Sequence, residues 1–78
     1  MTIEEFVRNF EVAIEGIEPN SLNATTDFKA LDLWDSLAAL SILAMIDTEY
    51  SLQVSGNELK NSKTIADLFG VLSTKKSA

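Results

Sequence analysis

Apolar residues at Ile3, Phe6, Val7, Phe10, Ile14 and Ile17 recur every third or fourth position and so stripe one face of a helix. The spacing predicts a first helix over about residues 2–16. Thr2 suits its N-cap, with Glu5 at the capping-box distance, and Gly16 followed by Pro19 supplies the stop. From Ile17 to Asp35 no period is sustained, and Pro19, Asn20, Ser21, Asn23 and the Thr25-Thr26 pair mark one long connection, 17–35. Connections of this length are uncommon in small domains and are usually functional. Leu22, Phe28, Leu31 and Leu33 are spaced to pin this one to a core, so it is expected to be ordered.

A second helix over 36–50 follows, rich in Leu, Ala and Met and free of Gly and Pro. Its buried side is read as Leu37, Leu40, Ile42, Leu43, Ile46 and the terminal Tyr50, which leaves Ala38, Ser41, Met45 and Thr48 on a small, nearly uncharged exposed face. After Gly56 and Asn57 the pattern allows a short turn or helix at about 56–61. Thr64, with Asp67 three residues on, caps a last helix over 64–73 whose stripe is Ile65, Leu68, Phe69 and Leu72, before Lys75, Lys76 and a frayed tail. The elements predict an all-α, three-to-four-helix bundle occupying a single domain, 1–78.

Length and composition narrow what such a bundle does. Seventy-eight residues hold one modest core, and 46% hydrophobic against 23% charged residues is too apolar for disorder. No apolar stretch reaches membrane-spanning length, and acids at Glu4 and Glu5 stand where a secretory leader carries bases, so a cytoplasmic protein is expected. The chain has no cysteine and no histidine, which removes disulfides, thiolate metal sites, cysteine nucleophiles and the usual general base. A net charge of −6, from 12 acids and 6 bases, repels nucleic acid and anionic membrane and favours basic protein surfaces.

Glu4, Glu5, Glu11, Glu15 and Glu18 read as the solvated face of the first helix, and Asp27, Asp32 and Asp35 as a solvated loop, since their spacing matches no rigid cation loop and no bound metal is expected. Trp34 reads as a loop anchor. The segment Asp35-Ser36-Leu37 is different. It stands where the long loop becomes the most apolar helix, placing Ser36 among first-turn N–H groups that lack intrahelical acceptors and suit a phosphate. Alone, the tripeptide means only that Asp35 caps a helix and Ser36 is exposed. Its position near mid-chain, after an ordered loop, in an acidic chain without His or Cys, changes that reading.

With that context, the chain resembles the acyl carrier protein family, from the first helix through the Phe28 loop and the Leu33-Trp34-Asp35-Ser36-Leu37 junction to Thr64-Ile65-Ala66-Asp67-Leu68. The resemblance implies that Ser36, flanked by Asp35 and Leu37, receives 4'-phosphopantetheine from coenzyme A through a magnesium-dependent phosphopantetheinyl transferase. The arm's thiol then carries acyl groups as thioesters, and the protein has no catalysis of its own. The same resemblance makes the second helix the docking face for an acyl-loading ligase or transferase, ketosynthase and other acyl-processing enzymes. Leu37, Ala38, Ser41, Met45, Asp47 and Thr48 are then the contact residues of a monomeric carrier.

A small core is also able to shelter an acyl chain, at about 0.8 kcal/mol per buried methylene. Phe28, Leu40, Leu43, Ile46, Ile65 and Leu68 are the expected lining, each also an ordinary core residue. Ala38, Ser41 and Thr48 stand where carriers of primary fatty acid synthesis bear acids. Together with Trp34, this resembles specialised, discrete carriers of polyketide, lipid or surface-polysaccharide pathways, with recognition weighted toward shape. An aminoacyl or peptidyl carrier would use the same serine, and an unmodified interaction bundle would use only the helix face. A serine hydrolase would need a base that the chain does not display.

Overall fold

Thr2, in an extended conformation, turns its Oγ1 to accept the Glu5 N–H at 3.2 Å, and from this cap the first helix, α1, runs Ile3–Ala13. The computed structural model describes residues 1–77, with side chains described to residue 76, and among these residues the architecture is all-helical. α1 stops short of the expected end at residue 16. Ile14 takes extended dihedrals that turn its side chain into the core, and Gly16 then adopts a φ of +97°. A Cβ at Gly16 would sit in a backbone region that L-residues avoid and 3.2 Å from Leu33 Cδ1, so glycine lets the chain reverse close against the end of the loop.

The loop is held from α1 by a residue expected to be solvated. Glu11 is 4% exposed. Its Oε1 accepts the Asn20 N–H at 3.0 Å and its Oε2 accepts the Leu22 N–H at 2.9 Å. Arg8, the one arginine of the chain, pairs with Glu11 at 2.9 Å and donates to Asn20 Oδ1 at 2.8 Å. Asn20, at φ 65°, is of a type that tolerates the left-handed conformation. One carboxylate thus satisfies two loop donors that would otherwise lie unpaired beside the core. Burial alone raises the Glu11 pKa, but the Leu22 and Asn20 N–H groups and the Arg8 charge outweigh it and hold the carboxyl below its ordinary value of 4.5.

A folded-state pKa below the unfolded one gives stability that is complete above the unfolded value and is lost as pH falls through the folded value. Glu11→Gln is expected to cost about 1.5–3 kcal/mol near neutral pH, the range for hydrogen bonds to a charged group. The difference from wild type in urea titrations shrinks as pH drops below 4.5.

Beyond Leu22 the loop is more structured than its aperiodic sequence predicts. A 3-10 turn, Phe28–Ala30, drops Phe28 fully into the core, and Leu31 and Trp34 follow half-buried. Leu33, expected to pin the loop, is largely exposed and rests near Gly16. The second helix, α2, spans Ser36–Tyr50 as expected and ends at Ser51 in the left-handed conformation. α3, Gly56–Asn61, is a true helix closed by a reciprocal capping box between Ser55 and Glu58.

α4 spans Ile65–Ser77, with Thr64 and Asp67 exchanging bonds at its start as expected. Its first-turn N–H groups at Ile65 and Ala66 donate to loop carbonyls at Thr26 and Ala24, at 3.2 and 2.9 Å. The fraying expected after residue 73 is not observed. Lys75 binds Glu58 of α3 at 3.1 Å, and Thr74 bonds back to Gly70, so the helix is held through its last turns; residue 78 lies outside the described residues.

α1 packs on α2 and α4, and α3 packs on α4. Phe6, Phe10, Phe28, Ile42, Ile46, Ile65, Leu68 and Leu72 form the fully buried centre. Aromatic contacts run through it from Phe69 on α4 to Phe6 and Phe10 on α1. They end at Phe28 and Trp34, whose ring centroids are 4.9 Å apart at 70°. No helix among the described residues is long and apolar enough to cross a membrane.

Candidate functional site

The position of Ser36 is fixed from both sides. On its N-terminal side, Trp34 stacks on Phe10 with an interplanar angle of 11° and meets Phe28 edge-on, while its N–H donates to Leu31 at 3.0 Å. Asp35, immediately before it, caps α2 by binding the residues that follow Ser36: its Oδ1 accepts the Ala38 N–H at 2.8 Å, and its carbonyl accepts the Ala39 N–H at 3.0 Å. Ser36 is therefore the first residue of α2, and its side chain is exposed. The N–H groups of Ser36 and Leu37 have no acceptor among the described residues, as helix geometry requires of a first turn. An oxyanion attached at Ser36 meets those donors and the positive end of the helix dipole. The donor set thus fits a phosphodiester.

The residues flanking Ser36 expose large apolar side chains beside the acids Asp32 and Asp35. Leu33, Leu37 and Leu40 are all large and exposed, Leu37 at 72% and Leu40 at 64%. This corrects the sequence reading of α2, which put Leu37 and Leu40 on the buried side. It also corrects Ala38, expected on the exposed face and only 6% exposed. α2 turns Ala38, Ile42 and Ile46 to the core. The physical reason is that α2 is apolar nearly all round, so periodicity gives no direction, and the choice of face falls to the residues with which α1 closes the bundle.

Of the remaining expected contact residues, Ser41 and Met45 are half-buried, and Asp47 and Thr48 are exposed. The expected acyl lining separates in the same way. Phe28, Ile46, Ile65 and Leu68 are fully buried members of the packed core, Leu43 is half-buried against it, and Leu40 faces solvent. Leu40→Ala is accordingly expected to leave the urea midpoint within about 0.5 kcal/mol of wild type, as for a surface position, where a core leucine would cost about 2–5 kcal/mol.

Sequence reasoning missed Glu11. Its one available signal was its place three residues after the single arginine of the chain. The exposed leucines around Ser36 were also missed, and no sequence signal distinguishes them from the buried isoleucines of the same helix.

A family model described as a phosphopantetheine attachment site matches residues 5–72 of the chain. No curated protein and no solved structure matches it at a significant level.

Proposed function

Because this chain belongs to the phosphopantetheine attachment-site family, we propose that Ser36 is its attachment residue and that the protein carries acyl groups as thioesters between biosynthetic enzymes. Carrier domains of the family are non-catalytic and are modified by a transferase. The observation that carries the assignment to Ser36 is its exposed hydroxyl at the first position of α2, with Asp35 capping the helix beneath it. In the modification, Ser36 Oγ bonds to the β-phosphorus of coenzyme A and the phosphoanhydride breaks. The 3',5'-adenosine bisphosphate leaves, and the hydroxyl proton passes to a base of the transferase.

The free N–H groups of Ser36 and Leu37 favour the resulting anion. When attached, the arm supplies a thiol that holds the acyl group, a chemistry no side chain of this cysteine-free chain provides. Tethering then raises the local concentration of the cargo to about the millimolar range at any enzyme docked beside Ser36.

The exposed part of α2 supports docking by apolar contact. Leu37 and Leu40 are the large side chains there, with Thr48 and Asp47 further along, and Ala38 takes no part because it is buried. Taking exposed leucines out of water at an interface is favourable in proportion to the apolar area covered, with charge serving mainly to steer. The test is the intact mass of the protein after incubation with coenzyme A, magnesium and a permissive phosphopantetheinyl transferase. One added phosphopantetheine is the expected result, and an unchanged mass from folded, initially unmodified protein with several transferases would contradict the proposal.

A further inference from the structure

Two clefts lie end to end between α1 and α2. The first, about 360 Å³, starts beside Ser36 at Asp35 and Leu37 and passes Ile14 and Glu15. The second, about 380 Å³, continues past Val12, Ala44, Met45 and Thr48 to Asn9 and Glu49. They share Ala13 and Ser41, so one groove begins at the two neighbours of Ser36 and follows α2 toward its C-terminus. Its size is that of a small-molecule site.

Resting on the carrier reading above, we propose that this α1–α2 groove, with Ala13, Ser41, Ala44 and Met45, holds the thioester end of the arm and a short acyl group that bears no carboxylate while no partner is docked.

Four features support that occupant. Ala13, Ser41 and Ala44 are small, so the groove floor is open to a chain laid along it, while Val12, 85% exposed, and the adaptable Met45 provide apolar walls. Reach also agrees. Met45 lies nine residues beyond Ser36, about 14 Å along the helix, and the phosphopantetheine chain from phosphorus to sulfur is as long as nearly five extended residues, about 16 Å, so its thioester end reaches Met45. The alternative shelter among Phe28, Ile46, Ile65 and Leu68 is closed: each is fully buried, and an entering chain would have to part a packed core. Lastly, Glu15 flanks the near end and Glu49 the far end, where Asn9 Nδ2 also donates to Tyr50 Oη at 2.9 Å. A cargo ending in a carboxylate would meet like charge there, which selects against it.

The chain has two methionines, Met1 and Met45, so methyl labelling of methionine, together with isoleucine and leucine, gives one methionine reporter in the groove, one control at the terminus and reporters in the core. Protein loaded from butyryl-coenzyme A by a permissive transferase is first checked by intact mass. Nuclear Overhauser contacts are then recorded from the butyryl and cysteamine protons. Contacts to the Met45 methyl, with none to the methyls of Ile65 and Leu68, are expected, together with their loss in Ala44→Glu, a change at an exposed helix position that leaves the circular dichroism of the protein unaltered. Contacts to Ile65 or Leu68, or no contact to any protein methyl, would overturn the groove assignment in a correctly loaded protein. A protein that gains no mass overturns the carrier reading itself, and the groove assignment with it.

Discussion

Ser36→Ala is expected to abolish phosphopantetheinylation completely while leaving the fold intact. In the proposed attachment the hydroxyl oxygen is the atom that becomes bonded to phosphorus, so its removal deletes the reaction. Ser36 is exposed and makes no side-chain hydrogen bond among the described residues; Asp35, whose Oδ1 bonds the Ala38 N–H, provides the cap. Alanine is also the best helix former at such a position. Intact mass under conditions that convert the wild type to completion, beside a urea titration with an unchanged midpoint, reads both halves of the expectation. Ser41, the next serine along α2, provides the contrast. It lies one and a half turns into the helix, half-buried at the α1 groove, and Ser41→Ala is modified as the wild type is.

Phe28→Ala carries the largest expected loss of stability. Phe28 is fully buried, meets Phe10 at 5.3 Å and Trp34 at 4.9 Å, and is the residue by which the loop enters the core. Truncating a buried phenylalanine costs about 3–5 kcal/mol. A chain of this length has a total stability of about 4–12 kcal/mol, at about 0.05–0.15 kcal/mol per residue. A sizeable fraction of the molecules is therefore expected to unfold near physiological temperature, with a melting temperature lowered by roughly 12–40 °C at about 4–8 °C per kcal/mol. Because Phe28 and Trp34 place the residues just before Ser36, modification slows in parallel with the unfolded fraction. Calorimetry beside the rate of mass gain measures the pair.

What could be read from the sequence divides along physical lines. α1, α2 and the start of α4 announce themselves through local signals: a three-to-four spacing, the Thr2 and Thr64 caps and the Asp35-Ser36 junction. The place of Ser36 at the start of α2 was legible for the same reason, since it follows from its immediate neighbours. Properties set by tertiary contact were not legible.

Leu37 and Leu40 look no different from Ile42 and Ile46 in a helix apolar on every side, yet the former are exposed and the latter buried. Glu11 looks no different from Glu15 and Glu18 until the loop returns and places two N–H groups against it. The last turns of α4 extend because Lys75 finds Glu58 across the bundle, a partner far away in sequence. The α1–α2 groove likewise joins residues of two helices. Its small side chains, read one helix at a time, meant only an uncharged surface.

Fragmentation mass spectrometry of the wild-type protein after reaction with coenzyme A and a transferase assigns the added group to a residue. The account expects a single phosphopantetheine on Ser36 and on no other hydroxyl. A group found on another serine or threonine, or a folded protein that remains unmodified, would contradict it.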